Sequence, residues 1–172
     1  MVSIRSARIA DAYGIAQVQV DTWRTTYKGI VSDAYLDQLS YQQREQMWQE
    51  ILRGMTSGVF VAEDEQGHVI GFSSGGLERE NNPLYRGELY AIYIQQSFQR
   101  SGLGRKLTTA VVQYLLHQDV TSMLVWVIEK NPASRFYQTL GGTPIKKRQE
   151  TDRDGRVIDE VAYGWQDIYG LL

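Results

Sequence analysis

The chain has 172 residues, enough for one domain with a sizeable core and too few for two comfortable ones. Hydrophobic residues make up 42% and charged residues 22%, the proportions of an ordinary soluble globular protein, and a net charge of -2 argues against a nucleic-acid binder, which would carry a strong basic excess. The chain contains 0 cysteines, which excludes disulfides, a thiolate nucleophile and a zinc-cysteine site.

Arg5, Arg8 and Asp11 interrupt the first apolar stretch, so no signal-peptide core is expected, and no later run reaches the length of a membrane span. The expectation is a cytoplasmic protein without a membrane partner. Residues 3–7 predict a short first strand. From Asp11 to Tyr27, the positions Ile15, Val18, Thr22 and Trp23 follow a helical period, and Gly29 lies beyond as a stop. Ser32 predicts the cap of a brief helix through Leu39. Ser40 and Gln43 form a capping-box pattern for a helix running to Arg53, with Gly54 at the C′ position. Of the rings these helices carry, Trp23, Tyr27, Tyr35, Tyr41 and Trp48, most are expected in the core.

Val59 to Glu63 and Val69 to Leu77 read as an antiparallel hairpin across Asp64-Glu65-Gln66-Gly67. His68 sits at that turn with no second histidine or cysteine nearby, which makes it a poor metal ligand. Gly75-Gly76 and Asn81-Asn82-Pro83 then break the chain into a surface loop, a place where substrate contacts concentrate.

Glu88 to Ile94 is a largely apolar strand. Leu89, Ala91 and Tyr93 point to one face and Tyr90, Ile92 and Ile94 to the other, so a central, two-sided strand is predicted. A polar loop follows, and then Leu103, Leu107, Ala110, Val111, Tyr114 and Leu115 recur at helical spacing. Gly102 and Gly104 fall in the first turn, where unpaired amides point outward and, with Arg100, Arg105 and Lys106 nearby, favour an anion. A P-loop is ruled out by spacing, as is a dinucleotide fingerprint, whose third glycine would stand at Leu107.

Ser122 to Ile128 is a second buried strand. Strand, helix and strand together predict a parallel pair joined by a right-handed crossover. His117 lies near the helix end, where a cation is welcome and no further role is needed. Asn131 is the expected N-cap of a short helix with Pro132 in its first position and Gly141 past its end. Residues 143–165 read as two strands around Asp152-Arg153-Asp154-Gly155. The cluster approaches an EF-hand loop but places Val161 where the bidentate glutamate belongs, so a hairpin turn is expected.

Gln99-Arg100-Ser101-Gly102-Leu103-Gly104 resembles the Q/R-x-x-G-x-G/A signature of the GCN5-related N-acetyltransferase family. Trp126-Val127-Ile128-Glu129-Lys130-Asn131-Pro132-Ala133-Ser134-Arg135-Phe136-Tyr137, with Leu140-Gly141, is similar to the family's second motif. It departs in an Asn131 to Tyr137 interval one residue shorter than the commonest form, and in Gly142 where an aromatic residue often follows. Trp23-Arg24, Tyr27-Lys28-Gly29 and Tyr163-Gly164-Trp165 also look like bacterial members.

The resemblance implies an α/β (α+β) fold spanning residues 1–172 as a single domain: a mixed central sheet flanked by helices, with a parallel strand-helix-strand core that binds acetyl-CoA. It implies an acetyl-CoA-dependent N-acetyltransferase whose primary amine acceptor attacks the thioester directly, with no covalent enzyme intermediate and no metal. In that reading the loop residues Gln99, Arg100, Ser101, Gly102, Leu103, Gly104 and Arg105 cradle the pyrophosphate. The backbone at Ile92, Tyr93 and Ile94 aligns the pantetheine arm and offers an N-H to the thioester oxygen. Asn131 holds the arm, and Tyr137 protonates the departing thiolate. The base is open between Glu88, Glu129 and water. The acceptor is a small-molecule amine or a peptide or protein amine, and a homodimer is compatible with the family. The competing reading is a non-catalytic acyl-CoA-binding or sensing module.

Overall fold

The computed structural model describes residues 1–172. Local sequence decides two of the helix starts. In α1 (Ala12–Thr26), Ile15, Ala16 and Val18 lie on the buried face. Ser32 Oγ accepts from the Tyr35 amide at 3.2 Å to open α2 (Asp33–Asp37), and Ser40 Oγ accepts from the Gln43 amide at 3.3 Å to open α3 (Tyr41–Gly54). Gly54 is not the left-handed residue that ends α3. Met55 takes that conformation, at φ +50°, and Gly54 completes the last helical turn.

The strands β1 (Ser3–Ser6), β2 (Gly58–Glu63), β3 (Val69–Leu77), β4 (Gly87–Ile94), β5 (Met123–Ile128), β6 (Thr143–Thr151) and β7 (Val157–Trp165) form one sheet in the order β1-β2-β3-β4-β5-β7-β6. Only β4 and β5 are parallel, joined by α4 (Leu103–Leu116). The remaining neighbours are antiparallel. β7 lies inside β6, so the chain turns back into the sheet. Asp152 Oδ1 accepts from the Asp154 and Arg156 amides, which makes 152–156 a self-bonded turn. His68 Nδ1 meets the Asp64 carboxylate within its own turn. No helix is long and apolar enough to cross a membrane.

Core forms on both faces of the sheet. On one, α4 and the short α5 (Ala133–Thr139) cover Leu89, Met123, Val125 and Val127. On the other, α1 and α3 cover Val59, Val61 and Phe72 around Trp48. Among the helical rings, Trp48 and Tyr27 are buried, whereas Trp23, Tyr35 and Tyr41 are half-buried against the cluster of Val20, Val31 and Leu36.

The strict alternation expected of β4 is corrected by a bulge. Ser74 pairs with Ala91 and Gly75 with Leu89, leaving Tyr90 without a partner. The extra residue shifts the phase. Leu89 joins Ile92 on the α4 face, while Ala91 and Tyr93 face α1. The strand is central, yet from Tyr90 to Ile94 it is only half-buried, because β5 has moved away from it.

Candidate active site

The parallel ladder between β4 and β5 is short. It pairs Gly87 with Met123 and Glu88 with Leu124 and goes no further, although both strands continue. Ile92, Tyr93 and Ile94 keep partners on β3 but have none on β5, so the sheet opens into a fork whose unpaired edge carries backbone donors and acceptors. The loop leaving β4 leads from this fork to α4.

That loop is shaped by backbone conformation. Arg100 has φ +59° and Gly102 φ +83°, two left-handed residues that turn the chain sharply into the helix. No side chain caps α4, and its first backbone bond runs from the Lys106 amide to the Gly102 carbonyl at 3.3 Å. The amides of Leu103, Gly104 and Arg105 therefore point out of the helix start, at the positive end of its dipole. Gln99 donates through Nε2 to the Ile94 carbonyl at 3.0 Å, and Ser101 Oγ donates to the Phe98 carbonyl. Their side chains brace the loop, and any contact they make with an anion falls to their backbone. Leu103 is buried with Ala62, Ile70 and Leu107, which anchors the first turn. Arg105 and Lys106 are exposed and line an open groove between α4 and the β1–β2 edge.

The two glycines are required for different reasons. A Cβ on Gly102 would meet nothing within 4 Å, so its need is conformational. A Cβ on Gly104 would sit 3.1 Å from Phe136 Cζ and 3.2 Å from its Cε2. Close approach to α5 is thus one reason for glycine there, in addition to the phosphate access inferred from sequence. Phe136 of the second motif packs directly onto the first.

Tyr137 follows Phe136 and is 4% exposed, its ring 6.2 Å from that of Tyr163 and 6.4 Å from that of Trp165. Burial, with Tyr93 adding to it, pushes its phenol well above the ordinary tyrosine value, and no protein hydrogen bond contributes. Such a hydroxyl stays protonated and is free to donate.

α5 starts at Ala133 with Pro132 as its N-cap, one residue later than expected; Asn131 Oδ1 still accepts from the Ala133 amide at 2.9 Å, and its Nδ2 donates to the Tyr27 hydroxyl at 2.9 Å. Ser134 Oγ, in the next turn, is sealed from solvent without a partner. Glu88, only 2% exposed, lies where the β4–β5 ladder ends. Arg79 of the preceding loop holds it through Nε at 3.0 Å, through Nη2, and through its own amide at 3.4 Å, while its guanidinium covers the Tyr90 ring at 4.3 Å. Glu129, by contrast, has a half-exposed side chain paired with Lys147 Nζ at 2.8 Å on β6. Sequence reading had not singled out Arg79 or Ser134, and had Tyr27 only as a core ring and part of a family-like triplet. For Arg79 no local pattern points to the contact; it exists because the loop folds back over β4.

An open fork between parallel strands, next to an uncapped helix start, defines a protein able to take an extended, anionic group along β4 with its charge at α4. Loop amides and a left-handed glycine suit a diphosphate with a linear arm.

Known proteins agree with that architecture. The model of the FR47-like protein family matches residues 75–151. YuaI of Bacillus subtilis (strain 168), described as an uncharacterized N-acetyltransferase, is 42% identical over 171 residues, covering 99% of this chain and 96% of that one. The Salmonella typhimurium protein yncA, solved with its cofactor acetyl-CoA, superposes with a TM-score of 0.74 at 25% identity, covering 96% of this chain and 94% of that one. A ribosomal-protein-alanine N-acetyltransferase from Brucella melitensis shares the fold, with a TM-score of 0.74 at 23% identity over 95% of this chain and 98% of its own. The chain belongs to the GCN5-related N-acetyltransferase family and is an N-acetyltransferase.

Proposed function

We propose that the protein transfers an acetyl group from acetyl-CoA to a primary amine by direct attack. The observation that carries this is the fork: β4 loses its β5 partner after Glu88, and the loop that leaves the same strand opens α4 with free amides. Acetyl-CoA would supply a thioester already activated toward nucleophiles. The unpaired edge at Ile92, Tyr93 and Ile94 takes its arm as an added strand and presents an N-H to the carbonyl oxygen as charge develops. Backbone amides from Gln99 to Arg105 hold the diphosphate, and Asn131 holds the arm.

Of the two carboxylates, Glu88 suits the base better. Both carboxylates are ion-paired, Glu88 with Arg79 and Glu129 with Lys147, but Glu88 is buried at the branch point of the fork whereas Glu129 is half-exposed. Glu88 accepts the amine's proton directly or through water as the C-N bond forms. Tyr137 gives its proton to the sulfur as the C-S bond breaks, and recovers one afterwards from solvent. The acceptor is a small-molecule amine or the amine of a peptide or protein.

Release of free CoA thiol, measured across a panel of amines, tests the reading. Tyr137→Phe is expected to lower kcat about a hundredfold or more, the scale of a general acid, while calorimetry still detects acetyl-CoA binding. A variant with wild-type turnover would remove Tyr137 from the mechanism.

A further inference from the structure

The Asn131 amide has two N-H donors and two acceptor positions on its oxygen. The protein uses one of each: Oδ1 takes the Ala133 amide, and one Nδ2 hydrogen goes to Tyr27. One donor and one acceptor remain on a half-buried side chain, the complement of a secondary amide. Which way the side chain faces is set from both ends. The Ala133 bond alone fixes the oxygen, and the Tyr27 bond stops rotation about the remaining torsion.

Tyr27 comes from the other side of the sheet. It is the C-terminal cap of α1, 104 positions before Asn131, and is 5% exposed. Its ring packs on Trp23 with centroids 4.2 Å apart, and Trp23 Nε1 donates to the Tyr93 hydroxyl at 3.0 Å. One turn of α1 therefore ties together both arms of the fork, β4 through Tyr93 and the end of β5 through Asn131.

We infer that Tyr27 is a positioning residue for the acetyl donor: its hydroxyl locks the Asn131 amide in the orientation that grips the pantetheine arm. The inference rests on the reading above that Asn131 contacts the arm. Tyr27 does not touch the reacting atoms. Its effect reaches them through Asn131, and it makes donor binding depend on the seating of α1.

The test is a double-variant cycle read by isothermal titration with acetyl-CoA, with melting temperatures recorded for each protein. Tyr27→Phe keeps the ring packing on Trp23 and removes only the hydroxyl. Asn131→Ser keeps a capping oxygen for Ala133 and removes the amide. Each is expected to raise Kd, Tyr27→Phe by about fivefold, the scale of one hydrogen bond. In the double variant Tyr27→Phe should add nothing to Asn131→Ser, because its only route is gone. In steady state Tyr27→Phe should raise KM for acetyl-CoA more than it lowers kcat, a split that general loosening of the fold would not produce. If Asn131→Ser weakens binding but Tyr27→Phe does not, or the two effects multiply, the role of Tyr27 is overturned and that of Asn131 stands. If Asn131→Ser leaves Kd unchanged, the Asn131 reading fails and takes this one with it.

Discussion

Gly102→Ala separates the backbone's part in anion binding from general stability. Gly102 has φ +83° and open space around its missing Cβ, so an added methyl meets no neighbour. Its cost is conformational, about 1–2 kcal/mol for an L-residue held in the left-handed region. For a chain of this size that corresponds to a melting temperature lower by roughly 2–8 °C. Gly155, at φ +77° and equally free of neighbours, sits in the β6–β7 turn and provides a matched control. Alanine at either site should cost similar stability. Only at Gly102 does relief of the strain turn the Leu103 and Gly104 amides away from the ligand. Loss of one bond to a charged group, at about 1.5–3 kcal/mol, weakens CoA by roughly tenfold to a hundredfold, and loss of a second multiplies that by a similar factor. Differential scanning fluorimetry gives the stability change and calorimetry with CoA the affinity. Wild-type affinity in a folded Gly102→Ala protein, or an equal loss in Gly155→Ala, would refute the assignment of the anion site to this helix start.

Arg79→Met removes the guanidinium from the buried Glu88 carboxylate and leaves it only the residue-79 amide. Because the Arg79 side chain is 63% exposed, water can replace part of the contact, and the expected loss of about 1–3 kcal/mol falls below that for breaking a fully buried pair. An unchanged denaturation midpoint would show that the pair contributes nothing. Burial raises the phenols of Tyr27, Tyr93 and Tyr137 in the folded protein. The folded state then binds these protons more tightly than the unfolded chain, so their contribution is fully present below about pH 10 and is lost as pH rises through the raised values. Urea midpoints should be flat with respect to these groups near neutrality and fall in strong alkali, less steeply in Tyr27→Phe. Equal slopes for the two proteins would contradict the burial argument.

What was legible in the sequence is what short-range chemistry fixes. Ser32 and Ser40 announce helix starts because a cap and its amide lie three residues apart. The glycines at 102 and 104 announce an exposed helix start for the same reason. Long-range contacts were not legible. The bulge at Tyr90 reverses the facing of Leu89 relative to Ala91, and it depends on how β3 pairs, which periodicity along β4 does not encode. Gly54 looked like the natural stop for α3, yet the left-handed turn falls one residue later, on Met55. Glu88 and Glu129 were indistinguishable as strand-end carboxylates until the loop carrying Arg79 and the strand carrying Lys147 came into place. Tyr27 belongs with these cases, since its partner lies across the sheet.

The placement of β7 has a consequence for how the molecule assembles. β5 can pair with β4 over only two positions, and β6 has β7 as its sole neighbour, so the right-hand part of the sheet has no continuous ladder until the chain has passed residue 157 and doubled back. During synthesis β5 and β6 therefore wait for their shared neighbour while β7 is still in the ribosome. The fork between β4 and β5 is the seam at which two halves of the sheet, made at different times, meet.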